Sequence, residues 1–529
     1  MLYSFAVAPV LIAILLYVLP FERIARSIAI VAQIALVCFA SYVFILTRSE
    51  DIVTSVGNFR GLLGITLRAD ALSAVFLVLT SVIFLVVAVF SFKKIISRLY
   101  WFFLFIWQGM LNGIFLSGDI FNIFVMVEVA TVVVAVLIMF NRSKRSMYDG
   151  MIYLMINTVA MQFYLFGLGY VYKLTGVLDL ETATQRLGQY DTSMIILPAA
   201  LIMTAIALKC SLVPLLSWIP KAHGTAGAPS GVAAILSGLH VKAGLYLFIR
   251  FQSLFGQIDL TLFFMIIGIA TAIIGFVFAM SQSDIKLLLA YSTVSQVGMI
   301  VIGLNIDDAF SQTGSIYHIV NHAFFKTALF LCAGIIVDVY KTRNLNQIRG
   351  VFRRMPLVGI ASIMAILGIV GAPIFNGSIS KYFIAAGLDG VVTYIIMFVN
   401  LGTIIIFIKF AAILFGRCTI NTDEEVVKVD GFQKTAVMIL GALCFAGGMF
   451  GEQFIQILFN VTVRVDAAGY IQKSLIFVAS VAAGFFIHKY YIQRSVLFKQ
   501  IGEIELGFRG MCASMGGFFA LILIVMHMQ

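Results

Sequence analysis

Ionisable side chains occur inside long apolar runs of this sequence, where such groups are costly. The basic ones are Lys209, Lys242, Arg250, Lys326, Lys381 and Lys409. The acidic one is Glu128, inside the run that begins at Phe121. A charge at membrane depth costs about 3 kcal/mol or more on an isolated helix, so such charges usually face a partner or water and mark a transport path. These residue types indicate movement of protons or ions; for Glu128 the alternative is an ion pair that pins two helices.

Two apolar spans combine a lysine with a proline that interrupts the helix. Pro214 follows Lys209, and a proline removes a helical hydrogen bond. Broken backbone at membrane depth persists only where it is buried in protein or lines a wet cavity, and a lysine beside it can exchange its proton with water. In the second span Gly371 and Pro373 precede Lys381. Interrupted spans in corresponding positions predict an inverted repeat with the transport path at its interface.

The span after the first interruption carries Lys242, two residues beyond His240. An unperturbed histidine titrates near neutral pH. The alternative for a lysine or arginine is to extend to the membrane interface, which suits Arg250 at the end of its span. Lys221 and His223 lie in the Gly/Pro-rich loop before this span. We expect them to be solvated or to cap a helix.

A third polar group recurs at helical spacing. His318, His322 and Lys326 stand at i, i+4 and i+8, so they form a stripe that rises about 12 Å along one helix face. Two histidines at i, i+4 could bind a metal or haem, but a lysine one turn further is a poor neighbour for a cation, and no cysteine or carboxylate stands nearby. The stripe predicts a proton relay, with structural hydrogen bonding as the alternative.

The composition requires a membrane protein. The chain has 529 residues, of which 62% are hydrophobic and 11% charged, against about 25% charged in soluble domains. This excludes a soluble enzyme, a nucleic-acid binder and a disordered scaffold. The net charge of +11 is divided into short clusters between apolar runs, which is typical of cytoplasmic loops and not of nucleic-acid binding. The six cysteines are far apart, so no metal site, iron–sulfur cluster or other cofactor is expected.

Sixteen apolar runs predict an all-α polytopic protein with about sixteen transmembrane helices. The runs centre near residues 11, 37, 82, 109, 130, 161, 206, 241, 269, 295, 325, 366, 403, 447, 480 and 519. If both termini face outward, the inward loops carry most of the basic residues. Examples are Lys93, Lys94, Arg142, Lys144, Arg145, Arg349, Arg353 and Arg354. We therefore expect both termini outside, and the first run is predicted to be a retained span.

The predicted organisation has four parts. They are N-terminal transmembrane helices (1–99), a first inverted repeat (100–251), a second inverted repeat (259–416) and C-terminal transmembrane helices with a docking segment (417–529).

Five segments together resemble the proton-conducting antiporter-like subunits shared by complex I, membrane-bound hydrogenases and Mrp-type sodium/proton antiporters. They are "FNIFVMVEVATVV", "LKCSLVPLLSWIPKAHGTAGAPSGVAAILSG", "HVKAGLYLFIR", "DIKLLLAYSTVSQVG" and "HIVNHAFFKTALFL". The resemblance covers roughly residues 70–416 and implies a core of fourteen helices with two inverted five-helix repeats, each with a broken helix.

The resemblance also implies roles for individual residues. Glu128 would pair with the broken-helix Lys209, Lys242 would be the bridging lysine, and Lys381 the terminal broken-helix residue. His318, His322 and Lys326 would form the central axis. The sequence departs from the family around Lys381, where "GAPIFNGSISK" stands in place of a double proline. The last two spans and the polar stretch Gln493–Arg509 lie outside the match and are expected to dock a partner.

The leading functional hypothesis is a proton-translocating subunit of a larger complex in the cell membrane, either Mrp-type or hydrogenase- or complex I-like. Its partners would be other membrane subunits and the lipid bilayer, with protons moving through this chain and sodium, if used, handled elsewhere. One alternative is an autonomous transporter of an organic solute, which needs a substrate-sized pocket at mid-depth. The other is a quinone-linked oxidoreductase subunit, although His318 and His322 share one helix face and cannot clamp a haem from both sides.

Overall fold

The structure is a computed structural model that describes residues 1–58, 64–224, 228–388, 390–417 and 428–528. The described chain is almost entirely helical, with one two-stranded antiparallel sheet in which β1 (Ile52–Ser55) pairs with β2 (Thr66–Ala69). Long apolar runs favour helices because the helix satisfies every backbone donor and acceptor internally.

The helices of the first half are α1 (Ser4–Val18), α2 (Glu22–Leu46), α3 (Ala71–Ser91), α4 (Arg98–Leu116), α5 (Ile120–Ile138), α6 (Lys144–Thr175), α7 (Leu180–Leu187), α8 (Thr192–Lys209), α9 (Trp218–Gly224), α10 (Ser230–Ile235) and α11 (Val241–Leu254). A π-helical turn, Leu236–His240, joins α10 to α11, and a 3-10 turn, Val56–Asn58, follows β1.

The remaining helices are α12 (Thr261–Ser281), α13 (Ile285–Leu304), α14 (Ala309–Tyr340), α15 (Val351–Arg354), α16 (Pro356–Val370), α17 (Asn376–Ile384), α18 (Val391–Ala411), α19 (Gly431–Met449), α20 (Gly451–Phe459), α21 (Ala467–Ile487), α22 (Val496–Gly502) and α23 (Phe508–His527). A second π-helical turn, His488–Ile492, extends α21.

The chain is a multi-pass membrane protein. In the described part, 14 helices are long and apolar enough to cross a membrane, and α1 and α16 are shorter apolar helices. Each of the sixteen apolar runs in the sequence coincides with a helix. The prediction of an all-α polytopic protein is confirmed, whereas the number of crossings and the outward placement of both termini stay predictions.

Two pairs of neighbouring helices repeat one layout. The lengths of α5 and α6 are 19 and 32 residues, and those of α13 and α14 are 20 and 32 residues. In each pair the aspartate before the first helix forms a β-bridge with a residue just beyond the second. The bridges are Asp119 with Asp179 and Asp284 with Asn344. In the predicted orientation the first bridge lies at the outer end of the bundle and the second at the inner end, as an inverted repeat requires.

Both predicted interruptions of helices are present. Residues 210–217 follow α8 without helical structure, and residues 371–375 follow α16. Each segment contains a residue with a left-handed backbone conformation. They are Ser211 (φ 60°) and Gly371 (φ 78°). Short helices, α9 and α17, then continue each span. The interruptions therefore leave backbone carbonyl groups free inside the bundle.

The C-terminal helices wrap the core from one half to the other. α21 packs on α18, α22 contacts α12, and α23 packs on α8 and α6. The polar stretch 493–509, called the C-terminal strap below, connects these helices. It is held to the core where Gln282 Nε2 donates a hydrogen bond of 3.3 Å to the Gly502 carbonyl. The strap thus crosses the predicted inner end of the bundle from the second half to the first.

An ion pair holds the end of α11 to the start of α3. Arg250, predicted to extend to the interface, ends 2.6 Å from the Asp70 carboxylate. Asp70 also caps α3 by accepting a hydrogen bond from the Ser73 backbone amide. The Arg250 guanidinium lies 4.9 Å from the centre of the Tyr246 ring.

Replacing Asp70 with asparagine should lower the free energy of unfolding by about 1–2 kcal/mol, because asparagine still caps the helix but leaves Arg250 without a carboxylate. Thermal unfolding of the purified protein in detergent measures this. Asp466→Asn is the matched control, since Asp466 caps α21 and makes no ion pair within the described residues. An equal loss in both variants would contradict the role of the ion pair.

The same ion pair makes the free energy of unfolding depend on pH. Burial raises the pKa of Asp70, but the Arg250 charge and hydrogen bonds to the carboxylate outweigh it, so the pKa lies below its ordinary value. The contribution to stability is therefore complete above pH of about 4 and is lost as the pH falls through the lowered pKa. The free energy of unfolding of the Asp70→Asn protein should therefore lack the part that is lost as Asp70 is protonated.

Candidate functional site: a buried series of titratable side chains

Lys209 is the last residue of α8, immediately before the first interruption. Its ammonium donates hydrogen bonds to Thr131 Oγ1 (3.0 Å) and to Asn157 Oδ1 (2.9 Å). Thr131 is on α5 and Asn157 on α6, so the lysine joins three helices. The broken backbone passes Pro214, whose ring is exposed in a cavity at the predicted inner end.

Glu128 lies one turn before Thr131 on α5 and is half-buried. Its carboxylate is within electrostatic reach of Lys209 but makes no ion pair with it in this structure. One carboxylate oxygen, Oε1, is buried without a hydrogen-bond partner. A buried oxygen without a hydrogen-bond partner costs free energy. Binding a proton, or a movement that brings a donor to this oxygen, would remove that cost. Glu128 and Lys209 are therefore neighbours that interact electrostatically without forming a direct ion pair.

Lys242 is fully buried just beyond the π-helical turn. Its ammonium donates to the carbonyl of Ser237, which lies inside that turn. The nearby His240 shares a hydrogen bond of 2.9 Å between its Nε2 and the Tyr153 hydroxyl. Tyr153 lies one turn before Asn157 on α6, so one face of α6 serves both the Lys209 and the His240 sites.

Gly244 allows α11 to approach the first interruption. A Cβ atom at this position would lie 2.7 Å from the carbonyl carbon of Lys209. Only glycine permits this distance. The helix that carries Lys242 therefore packs directly against the backbone of Lys209.

His318, His322 and Lys326 lie on one buried face of α14, as predicted. The Lys326 ammonium donates to the Leu289 carbonyl (2.9 Å) and to the Ser292 hydroxyl. Neither ring nitrogen of His322 has a hydrogen-bond partner, although the ring is fully buried. His322 is within electrostatic reach of Lys242, Lys326, His318 and Lys381.

His318 connects this face to the second interruption. Its Nδ1 lies 2.8 Å from the Ser380 hydroxyl on α17, and its Nε2 lies 3.1 Å from Gln296 Oε1 on α13. Ser380 directly precedes Lys381, so the histidine contacts the neighbour of the next lysine in the series.

Lys381 ends the series on α17. Its ammonium donates to the Ile369 carbonyl and to Asn400 Oδ1, both at 2.7 Å. Ile369 lies at the end of α16, where the interruption frees its carbonyl. A cavity of about 520 Å³ is lined by Lys381, Asn400 and Lys473 among others.

The sequence predicts that Lys221 and His223 are solvated or cap a helix, and the first alternative is wrong, because α9 folds them back into the protein. Both are buried, and the His223 Nδ1 lies 3.0 Å from the Ile219 carbonyl. His223 is within electrostatic reach of His240 on one side and of Lys242 on the other. His223 therefore lies between His240 and Lys242 in the buried series.

Sequence reasoning also missed the neutral partners of the lysines and histidines. They are Thr131, Tyr153, Asn157, Gln296, Ser380 and Asn400. A signal for them was present, since polar residues in apolar spans usually face the bundle interior. Tyr153 and Asn157 also share the spacing i, i+4, which places them on one helix face.

Within the described ranges, no group of three or more His, Cys, Asp or Glu side chains could hold a metal ion. The partners of the buried lysines are hydroxyl, amide and carbonyl oxygens, which suit an ammonium and its proton. The arrangement brings together all seven predicted residues. They are Glu128, Lys209, Lys242, His318, His322, Lys326 and Lys381.

The structure resembles solved membrane complexes. A chain of the Mrp complex from Dietzia sp. superposes with a TM-score of 0.80 at 22% identity, covering 91% of this chain and 99% of that one. A chain of the membrane-bound sulfane sulfur reductase, an archaeal respiratory membrane complex, gives the same TM-score, identity and coverage. At this identity the likeness establishes the fold.

Sequence comparison identifies the family. A Na(+)/H(+) antiporter subunit of Alkalihalophilus pseudofirmus is 30% identical over 438 residues, which are 80% of this chain and 88% of that protein. The family model described as NADH:quinone oxidoreductase/Mrp antiporter, transmembrane, matches residues 117–407. That range contains every residue of the buried series, from Glu128 to Lys381. The chain belongs to the NADH:quinone oxidoreductase/Mrp antiporter transmembrane family.

Proposed function

We propose that this chain conducts protons along a buried axis, as an antiporter-like membrane subunit of a multisubunit complex in the cell membrane. The axis runs through Glu128, Lys209, His240, His223, Lys242, Lys326, His322, His318 and Lys381. One observation carries the proposal, which is that each of these groups lies within electrostatic reach of the next. A proton bound at one site therefore changes the stability of a proton at the neighbouring site.

The first step is assigned to Glu128 and Lys209. An ionised Glu128 favours the charged form of Lys209, and a protonated or displaced Glu128 removes that support. Thr131 and Asn157 hold the lysine by neutral hydrogen bonds. The lysine can then release its proton toward His240 without breaking a direct ion pair, which would be costly in the interior.

The two repeats, 100–251 and 259–416, are proposed as two half-channels that meet at Lys242 and the α14 stripe. The equal lengths of α6 and α14 and the matching β-bridges at opposite ends support this division. The two interruptions also support this division, because Lys209 directly precedes the first and Lys381 follows the second.

Protons, and not sodium, are proposed as the ions that pass through this chain. A hard cation such as sodium needs several oxygen ligands, often carboxylates. Glu128 is the one acidic residue of the proposed axis, and the histidines and lysines present nitrogen. Any sodium transport is assigned to other subunits of the complex.

Replacing Lys209 with methionine should slow proton transport about tenfold or more, a change in barrier of about 1.4 kcal/mol, because the axis loses its first exchangeable ammonium. Inverted membrane vesicles with a pH-sensitive dye measure the initial rate. Lys409→Met is the matched control. Lys409 is also in an apolar span, but its ammonium donates to the Met280 carbonyl away from the axis. Full-rate transport by an assembled Lys209→Met protein would remove the basis of the mechanism.

Replacing His322 with glutamine should reduce transport by about tenfold as well, because glutamine fills the site but its amide cannot carry a proton as an imidazole can. The control is His527→Gln, at the exposed end of α23. If His322→Gln were as active as the control, the α14 stripe would be structural.

Gentle solubilisation should recover the chain together with other membrane subunits, identified by mass spectrometry. Redox subunits among them would identify a respiratory or hydrogenase-like pump, and a set of small membrane subunits an Mrp-type antiporter. Recovery as a stable, transport-competent single chain would contradict the proposal and favour an autonomous transporter.

A further inference from the structure

A cavity of about 420 Å³ opens at the predicted inner end, below the first interruption. Its upper wall is formed by Val213, Pro214 and Ser217, the residues that follow Lys209 along the broken backbone. Its lower rim is formed by four residues of the C-terminal strap, which are Gly502, Ile504, Glu505 and Leu506. The cavity therefore leads from the inner end of the bundle toward the site where the proposed axis begins.

The charges that line this cavity balance. Its described lining contains three cationic and three acidic side chains, which are Arg145, Lys221, Arg343, Asp149, Asp284 and Glu505. Arg145 lies 3.1 Å from Asp149, and Arg343 lies 2.8 Å from Asp284. The remaining pair is formed by Lys221 and Glu505, at 3.2 Å.

Glu505 comes from outside the repeats. Its carboxylate also lies 3.3 Å from Arg145, so the strap inserts one negative charge between two cations. The Lys221 side chain is only 5% exposed, whereas that of Glu505 is 57% exposed. Without Glu505 the buried ammonium would lack its carboxylate partner, and the cavity would carry a net positive charge.

The ionised state of Glu505 agrees with its surroundings. Partial burial raises the pKa of its carboxyl group, but the charge of Lys221, its hydrogen bond and Arg145 outweigh this effect. The pKa therefore lies below its ordinary value, and Glu505 is negatively charged at neutral pH.

We propose that Glu505, carried on the C-terminal strap, is a positioning residue that neutralises the inner mouth of the first half-channel and so permits protons to reach Lys209. The inference rests on the proposed function. A mouth with an uncompensated ammonium repels hydronium and other cations, since a cleft of one charge sign changes the local ion concentration strongly. The strap thereby makes the C-terminal helices part of the transport path.

The test uses Glu505→Gln in the assembled complex, in inverted membrane vesicles with a pH-sensitive dye. The initial rate of proton transport should fall about tenfold, because the mouth gains a net positive charge. Glu503→Gln is the matched control, since Glu503 is exposed on the same strap and its side chain makes no ion pair within the described residues. Its rate should equal that of the unmodified protein. Glu505→Asp, which keeps the charge, should recover most of the rate.

The double variant Glu505→Gln/Lys221→Gln separates charge from anchoring. It restores a neutral mouth, so its rate should return to within about twofold of the unmodified protein. If the ion pair only anchored the strap, the double variant would be at least as slow as Glu505→Gln. Added choline chloride should also shrink the defect of Glu505→Gln, since about 1 M salt screens charges beyond about 3 Å.

These outcomes are distinct from a failure of the proposed function. Full transport by Lys209→Met would overturn the axis itself. A normal rate in Glu505→Gln, or no rescue by the double variant, would overturn the role of Glu505 and leave the axis standing. Immunoblotting for the chain and its partner subunits confirms that each variant assembles.

Discussion

An ammonium group inside an apolar bundle is stable only where the protein supplies oxygen atoms to it, and this requirement shapes the whole fold. Lys381 donates to the Ile369 carbonyl at the end of α16, and Lys242 donates to the Ser237 carbonyl inside a π-helical turn. Lys209 uses the oxygens of Thr131 and Asn157. In a regular helix, most backbone carbonyls already accept a hydrogen bond from the amide four residues later. The interruption after α16 and the π turn therefore supply the backbone oxygens that Lys381 and Lys242 need at this depth.

The protein divides its charges into two kinds of site. Direct ion pairs lie at the ends of helices, as between Arg250 and Asp70 or between Arg343 and Asp284. The lysines of the buried series instead have neutral partners. A buried ion pair resists separation because each charge would be left uncompensated. Neutral partners hold an ammonium or an amine, so the series can exchange protons while the pairs at the helix ends maintain the structure.

The C-terminal helices add a connection that the repeats lack. They leave the second half along α21, cross the predicted inner end through the strap and return to the first half along α23. Glu505 is placed on this crossing, where it contacts Lys221 of α9. A movement of α9, which continues the span broken after Lys209, would therefore change the contacts of the strap. The two halves are linked along the surface as well as through the buried series.

The sequence by itself determined that the chain is a multi-pass helical membrane protein, where the helices are interrupted, and which charged residues lie at depth. These follow from local properties, namely apolar length, the lost hydrogen bond of proline, and the spacing of His318, His322 and Lys326 along one helix. Tertiary structure alone decided the partners. Asn157 lies far from Lys209 in the chain, and α9 buries His223 although its loop composition suggested exposure. Such contacts depend on how helices pack against one another, which no local pattern records.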